Sequence, residues 1–300
     1  MMIIGGSSSP DLAAKVAKEL DKNNGRLEIR RFPDGEKYLR VLDDVKDQDI
    51  AIIQSTHHTP DELVFEYLLL VDTLKDLGAR RVISFFPYFA YARQDERFKP
   101  GEALSFKTVS KLIESVGTNE VYTIDMHGHR VVKLSDVFKI PARNLSAVPM
   151  LVDYIEKTCP MQKPLIIGPD AEAEQWARVA AERLRTDYDV FEKKRHGDRQ
   201  VEVRPRTANA NGRDVLIVDD IISTGGTIVE ALKALFAQGA RTINVACTHP
   251  ILAGDALKRI QEAGAKNVIG TDTVPSPISR VSVAPLIAEQ VRKAGLSGTS

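Results

Sequence analysis

The residues best placed to do chemistry lie in Val215-Leu-Ile-Val-Asp-Asp-Ile-Ile-Ser-Thr-Gly-Gly-Thr227. Four apolar residues, mostly β-branched, suit a parallel strand covered on both faces. Two carboxylates, Asp219 and Asp220, follow at its C-terminal end, where open α/β sheets bind ligands. Ser223, Thr224 and Thr227 offer hydroxyl donors, and Gly225 and Gly226 let backbone N–H groups approach an anion with no Cβ in the way. Ile228–Phe236 continues with helical spacing, so the positive end of its dipole points at the same place. Two acids accept hydrogen bonds from vicinal sugar hydroxyls, and the set reads as a cradle for ribose 5-phosphate. A plain strand, turn and helix junction would use one or two of these residues rather than all of them. Neither the Gly-Lys-Ser/Thr of a Walker loop nor the Gly-x-Gly-x-x-Gly of a dinucleotide fold occurs at this junction.

Other segments carry candidate groups. Arg31-Phe-Pro-Asp-Gly-Glu36 is a turn with an aromatic and two acids, which alone would read as a surface turn. Pro87–Glu102 follows an apolar strand and mixes three cations, an amide and several aromatics. That mixture suits a base stacked on an aromatic or guanidinium plane with cations beside its phosphates. Asp125-Met-His-Gly-His129 ends another strand, and the local sequence leaves open whether it ligates Mg²⁺ or sits unliganded. Gly168-Pro-Asp170 closes a strand in the same way, a natural position for a Mg²⁺ carboxylate. Glu192-Lys-Lys-Arg-His-Gly-Asp-Arg199 lies between two alternating segments, as expected for a hairpin with a basic tip. Such a run is either a solvated turn or a Lys/Arg loop that neutralises charge on a transferred group.

These residues need strand ends to hold them. Apolar runs at 2–4, 50–53, 82–86, 121–124, 165–167, 215–218, 243–246 and 268–269 alternate with helix-length segments, which predicts a mostly parallel α/β architecture. The 300 residues, 43% hydrophobic, suit two domains of about 150 residues each, and an irregular stretch between prolines 141 and 149 gives a boundary: 1–145 and 146–300. Asp49-Ile-Ala-Ile-Ile followed by Gly78-Ala-Arg-Arg-Val-Ile is echoed by Asp214-Val-Leu-Ile-Val followed by Gly239-Ala-Arg-Thr-Ile-Asn. Duplication and shared α/β grammar both explain the echo at this stage. The first half has Gln54-Ser-Thr56 where the second has its acids, so only the second half is expected to bind ribose phosphate.

Forty-one basic and 41 acidic side chains cancel, giving no whole-chain pull toward nucleic acid or a membrane. Cys159 and Cys247 form no Cys-x-x-Cys pair and are expected as buried thiols. No apolar run reaches the ~18 residues of a membrane span and the N-terminus has no signal-peptide pattern, so a cytoplasmic enzyme is expected.

The loop at 219–227 resembles the phosphoribosyl diphosphate (PRPP) loop of type I phosphoribosyltransferases and of ribose-phosphate pyrophosphokinases. Phe-Pro-Asp-Gly-Glu, Tyr-Ala-Arg-Gln-Asp, Asp-x-His, Gly-Pro-Asp, Lys-Lys-Arg and the PRPP loop occur in that order from about Ile3 to Leu286, and the combination is specific for the ribose-phosphate pyrophosphokinase family. The resemblance implies two phosphoribosyltransferase-like (type I) α/β domains, each a mostly parallel sheet flanked by helices, with the last helix packing on the first domain. It implies ATP binding by Phe32, Asp34 and Glu36, meeting adenine bound mainly by a neighbouring subunit, and by Arg93, Gln94 and Asp95. It further implies Mg²⁺ at His127 and Asp170, ribose hydroxyls at Asp219 and Asp220, and the 5-phosphate at Ser223, Thr224, Gly225, Gly226 and Thr227. Lys193 and Arg195 match the catalytic flexible loop. The implied reaction moves the β,γ-diphosphate of Mg-ATP to the 1-hydroxyl of ribose 5-phosphate, giving PRPP and AMP for nucleotide biosynthesis, in a homo-oligomer built from dimers, as dimer or hexamer. The family also favours duplication as the source of the internal repeat.

The chain departs from many relatives at Gly128-His-Arg130, at Ala171–Trp176 and at Ser223, where aspartate is common. These features match the archaeal-type branch better, so the allosteric control by phosphate and ADP found in another branch is not carried over. Two other readings use the same motifs. A phosphoribosyltransferase would consume PRPP, against which stand the second half-domain and the separate nucleotide loop. A silent regulatory subunit is opposed by the intact Lys193, Arg195, His127, Asp219 and Asp220.

Overall fold

The computed structural model describes residues 1–97, 99–128, 133–196, 200–205 and 207–296, with the backbone alone for 193–196, 200–205 and 295–296. The chain divides into two compact units, Met1–Leu145 with the segment from Ser282 onward, and Ser146–Val281.

Unit 1 is built on a six-stranded parallel sheet of β1 (Met2–Gly5), β2 (Asn24–Gly25), β5 (Asp49–Ile53), β6 (Arg81–Phe86), β7 (Glu120–Ile124) and β8 (Ala142–Leu145), ordered β2-β1-β5-β6-β7-β8. A separate antiparallel pair, β3 (Leu27–Arg31) and β4 (Lys37–Val41), stands outside it. The helices of the unit are α1 (Pro10–Leu20), α2 (Pro60–Asp76), α3 (Ser105–Ser115) and the C-terminal α8 (Ala284–Leu296). In α2, Val64, Tyr67, Leu70, Val71 and Leu74 recur at helical spacing and are buried in the core on the sheet, with proline at the first turn and two acids beside it. α8 packs on α1, where Arg292 Nη2 donates to the Glu19 carbonyl at 2.7 Å.

Unit 2 carries a seven-stranded sheet ordered β11-β10-β9-β12-β13-β14-β15. Its strands are β9 (Leu165–Gly168), β10 (Tyr188–His196), β11 (Gln200–Pro205), β12 (Asp214–Ile222), β13 (Thr242–Pro250), β14 (Asn267–Thr271) and β15 (Ser279–Val281), parallel except for the β10–β11 hairpin. Side-chain alternation explains the continuous apolar runs. Leu165, Ile167, Val215, Ile217, Ile243 and Val245 face α6 (Gly226–Ala237) and α7 (Ala256–Glu262), whereas Ile166, Leu216, Val218 and Ala246 face α4 (Val148–Thr158) and α5 (Glu174–Leu184).

The internal repeat has a bonding counterpart. Arg80 Nε donates to Asp49 Oδ1 and Arg241 Nε to Asp214 Oδ1, both at 2.8 Å, so in each unit the acid that opens one strand is clasped by the arginine that precedes the next. Backbone bonds repeat too: Asp47 N to Gly78 O and Gly212 N to Gly239 O are both 2.9 Å, and the two glycines share positive φ, 87° and 88°.

Candidate functional site

β12 runs two residues beyond its acid pair, and the chain then turns through Ser223 and Thr224 into α6. Gly225 stands at the helix N-cap with φ 75° and no side chain caps the helix, so the first-turn N–H groups of α6 face the loop. The loop is held from behind. Leu252 N and Ala253 N donate to the carbonyls of Ile222 and Ser223, and Arg259 Nη2 donates to the Thr224 carbonyl at 3.1 Å. Arg259 is a cation beside the candidate phosphate position that sequence reasoning passed over, because it lies on α7, 35 residues further along the chain. A Cβ at Gly225 would sit 2.9 Å from Ile260 Cδ1, whereas one at Gly226 would meet nothing closer than Thr224 Oγ1 at 3.9 Å. Gly225 thus serves the fold, and Gly226 leaves space in front of the helix end.

The acids sit on β12 just beyond the end of its parallel neighbour β9. Asp220 is buried, and Asp219 is half-buried, its Oδ1 accepting from the Asp220 N–H at 3.0 Å. Burial first, then the charges of Asp220 and Asp170, push the Asp219 carboxyl well above the ordinary carboxylate range. Asp170 is raised as well, by burial and by Glu172 and Asp220, although its Oδ1 accepts from Glu172 N and Ala173 N at 3.1 Å and so caps the turn into α5. Cys247, paired with Asp219 across β12 and β13, is a fully buried thiol pushed up by burial. Carboxylates crowded this way favour a bound cation or neutral hydroxyl donors. Among the described residues no three His, Cys, Asp or Glu side chains gather closely enough to form a metal cage. A Mg²⁺ ion held by one or two carboxylates and completed by water and substrate oxygens is compatible with that set.

Lys193 and Arg195 lie on β10, backbone-paired with Val203 and Val201 of β11, and their side chains lie outside the described residues. The base of this hairpin is tied by Asp189, whose Oδ2 accepts from Thr207 N and Ala208 N at 2.7 Å. Sequence reading missed Asp189, since an isolated acid in a strand carries no motif.

In unit 1, Phe32, Asp34 and Glu36 form the turn of the β3–β4 hairpin. Phe32 N bonds Glu36 O at 2.8 Å, Gly35 takes φ 97°, and Glu36 N bonds Asp34 Oδ1 at 3.3 Å. Phe32 is 40% exposed, edge-on to Tyr38, and the Arg30 guanidinium lies 4.8 Å from its ring centre. Arg93, Gln94 and Asp95 lie in the loop after β6. Arg93 is exposed, and Gln94 Nε2 donates to the Glu96 carbonyl at 3.1 Å. Both segments reach the first turn of α2, where Glu62 pairs with Arg31 and Asp61 accepts from the Tyr91 hydroxyl. The Gln54-Ser-Thr56 segment has structural partners: Ser55 Oγ and Thr56 Oγ1 accept from Tyr88 N and Ala90 N at 3.1 and 2.8 Å. His127 follows β7 in unit 1 and is half-buried, while His129 and Arg130 lie outside the described residues. The structure thus gathers Asp170, Asp219, Asp220 and the 223–227 loop in unit 2, and it keeps the nucleotide residues and His127 in unit 1.

Residues 135–277 match the phosphoribosyl transferase domain, the class of fold that the strand-end acids and helix-end loop describe. Residues 1–117 match the N-terminal domain of ribose phosphate pyrophosphokinase. The ribose-phosphate pyrophosphokinases of Methanothermobacter thermautotrophicus and Methanobrevibacter smithii are 44% and 43% identical, each over 97% of this chain and 100% of the relative. The crystal structure of phosphoribosylpyrophosphate synthetase from Mycobacterium smegmatis superposes with a TM-score of 0.89 at 29% identity, covering 99% of both chains. The chain belongs to the ribose-phosphate pyrophosphokinase family. The expected family, its leaning toward archaeal relatives, the α/β fold and the enzyme class are all borne out. Among the described residues, no helix is long and apolar enough to cross a membrane.

Proposed function

We propose that ribose 5-phosphate lies at the end of β12, its 5-phosphate on Ser223–Thr227 and its hydroxyls on Asp219 and Asp220. The observation that carries this reading is the N-terminus of α6, entered through Gly225 at φ 75° and opening beside two strand-end acids. The 1-hydroxyl oxygen attacks the β-phosphorus of ATP, the bond from that phosphorus to the oxygen bridging to the α-phosphate breaks, the hydroxyl proton leaves to solvent, and AMP departs. The attacking oxygen belongs to the substrate, so the chain's residues orient and neutralise and form no covalent intermediate. Lys193 and Arg195, on the β10–β11 arm, supply positive charge to the transferred diphosphate. Asp170 and His127 are the proposed Mg²⁺ ligands, and the raised carboxyls of unit 2 give a divalent cation something to neutralise. Bound Mg²⁺ would shield the phosphate charge of ATP and polarise it toward attack.

ATP is assigned to the 93–95 loop and to the Phe32–Glu36 turn of a neighbouring subunit in a cytoplasmic homo-oligomer built from dimers. The exposed Phe32 ring at a hairpin tip, flanked by a guanidinium, is what supports a base-stacking role. Phosphorus NMR of the protein with Mg-ATP and ribose 5-phosphate tests the reaction. Stoichiometric AMP with a new diphosphate ester is expected. ADP in its place would mean single phosphoryl transfer and overturn the mechanism, and no turnover from folded protein would favour a silent subunit.

A further inference from the structure

The β3–β4 hairpin shares no strand pairing with the six-stranded sheet, so its placement rests on side chains. Leu27, Leu39 and Val41 pack its base against the core of unit 1. Nearer the turn, a polar anchor takes over. Lys37, the first residue of β4, reaches Glu66 on α2 at 2.6 Å, with side chains only 11% and 1% exposed. Glu66 is saturated: Oε1 accepts from Ser7 N at 2.8 Å and Gln54 Nε2 at 3.3 Å, and Oε2 accepts from Ser7 Oγ at 2.8 Å and from Lys37 Nζ. One carboxylate therefore ties the loop after β1, the end of β5, helix α2 and the hairpin. Position 6 is kept clear for this, since a Cβ on Gly6 would stand 1.4 Å from Gln54 Oε1. On the other arm Arg31, paired across the hairpin with Lys37, meets Glu62, one helical turn before Glu66. The two cations flanking the Phe32–Glu36 turn are thus both gripped by α2. A half-exposed pair such as Arg31–Glu62 contributes little, whereas a buried, fully bonded carboxylate admits few alternative geometries.

We infer that Glu66 and Lys37 are positioning residues that fix the Phe32–Glu36 turn in its nucleotide-binding placement. This rests on the proposed role of that turn in binding ATP. Lys37→Met alone would strand a buried charge and confound the test with folding, so the informative protein is the double variant Lys37→Met/Glu66→Gln, which leaves no unpaired charge. Steady-state kinetics on the full chain should give a KM for ATP raised at least tenfold, with kcat and the KM for ribose 5-phosphate within twofold. Amide exchange of peptides covering 27–41 should quicken while that of β5 and β6 stays as in the parent. A KM for ATP within twofold of the parent overturns the inference, as does a loss spread equally over both substrates and kcat. Phe32→Ala separates the two layers. If it leaves the KM for ATP unchanged, the turn does not bind nucleotide and the reading beneath the inference fails. If it raises that KM while the double variant does not, only the positioning role fails.

Discussion

Gly225→Ala tests the loop most directly, because its cost follows from two features of the structure. At φ 75° the backbone is left-handed, which costs an L-residue roughly 1–2 kcal/mol. The new methyl would stand 2.9 Å from Cδ1 and 3.2 Å from Cγ1 of Ile260, a fully buried residue, and overpacking of this kind costs about 1–3 kcal/mol. Together these give about 2–5 kcal/mol against unit 2. The single tryptophan, Trp176, is buried on α5 of that unit, so its fluorescence in a urea titration reports the right transition. With a slope of about 2–3 kcal/mol per molar urea, the midpoint should fall by roughly 0.7–2.5 M. Gly226→Ala is the control: it has no positive φ and no atom within 3.8 Å of the new methyl, and alanine replaces glycine in a helix at a gain of roughly 0.5–1 kcal/mol. Its midpoint should hold or rise while the KM for ribose 5-phosphate increases, since the methyl enters the space in front of the helix end. A loss below about 1 kcal/mol for Gly225→Ala, or a reversed order of the two variants, would refute the reasoning.

Three further outcomes are expected. The folded Asp219 carboxyl is raised, so between the ordinary carboxylate value and its raised value the native chain holds a proton that the unfolded chain releases, and stability falls as pH rises through that window. Asp219→Asn should raise the urea midpoint at neutral pH, lose that advantage below the ordinary carboxylate range, and abolish turnover; an advantage independent of pH would contradict it. Lys193→Ala should lower kcat by roughly 10²–10³-fold with the KM for ribose 5-phosphate nearly unchanged, and near-normal turnover would sink its assigned role. Burial, with the neighbouring His58 charge, holds His57 down to about 4, so unit 1 loses stability as pH falls from 6.5 toward 4, where only the unfolded chain gains the proton. His57→Gln should flatten that loss when amide exchange of unit 1 peptides is followed across this range, and an unchanged slope would show that other groups cause it.

What the sequence made legible was whatever repeats with a short period or clusters within a few residues. The parallel strands announced themselves as apolar runs, and the seven-stranded sheet buries both faces of each run as such runs require. The candidate phosphate loop at 219–227 was readable because acids, hydroxyls and glycines fall within nine residues. The β3–β4 hairpin was seen only as its turn: its strands are half exposed and charged, and the alternation in Leu27-Glu-Ile-Arg30 and Leu39-Arg-Val41 spans too few residues to stand out. Arg259, Asp189 and Glu66 escaped because their partners lie 35, 18 to 19, and up to 59 residues away, and a lone charged residue on a helix or strand reads as solvated surface until the fold brings its partner.

The two units differ in what lies beyond equivalent strand ends. Both have the same Asp–Arg clasp, at 2.8 Å in each, so the scaffold is equivalent up to the strand ends. Beyond β5 the polar groups are committed inward: Gln54 to Glu66, Ser55 and Thr56 to the backbone at Tyr88 and Ala90. Beyond β12, the backbone is held from behind by Leu252, Ala253 and Arg259, Gly225 opens the helix at positive φ, and burial with neighbouring acid charge raises the carboxyls of Asp219 and Asp170. A sequence selected for stability alone would disperse those carboxylates. Their retention as a group is what an anionic sugar phosphate, arriving with hydroxyls for the acids and a phosphate for the N–H groups, would resolve at a stroke.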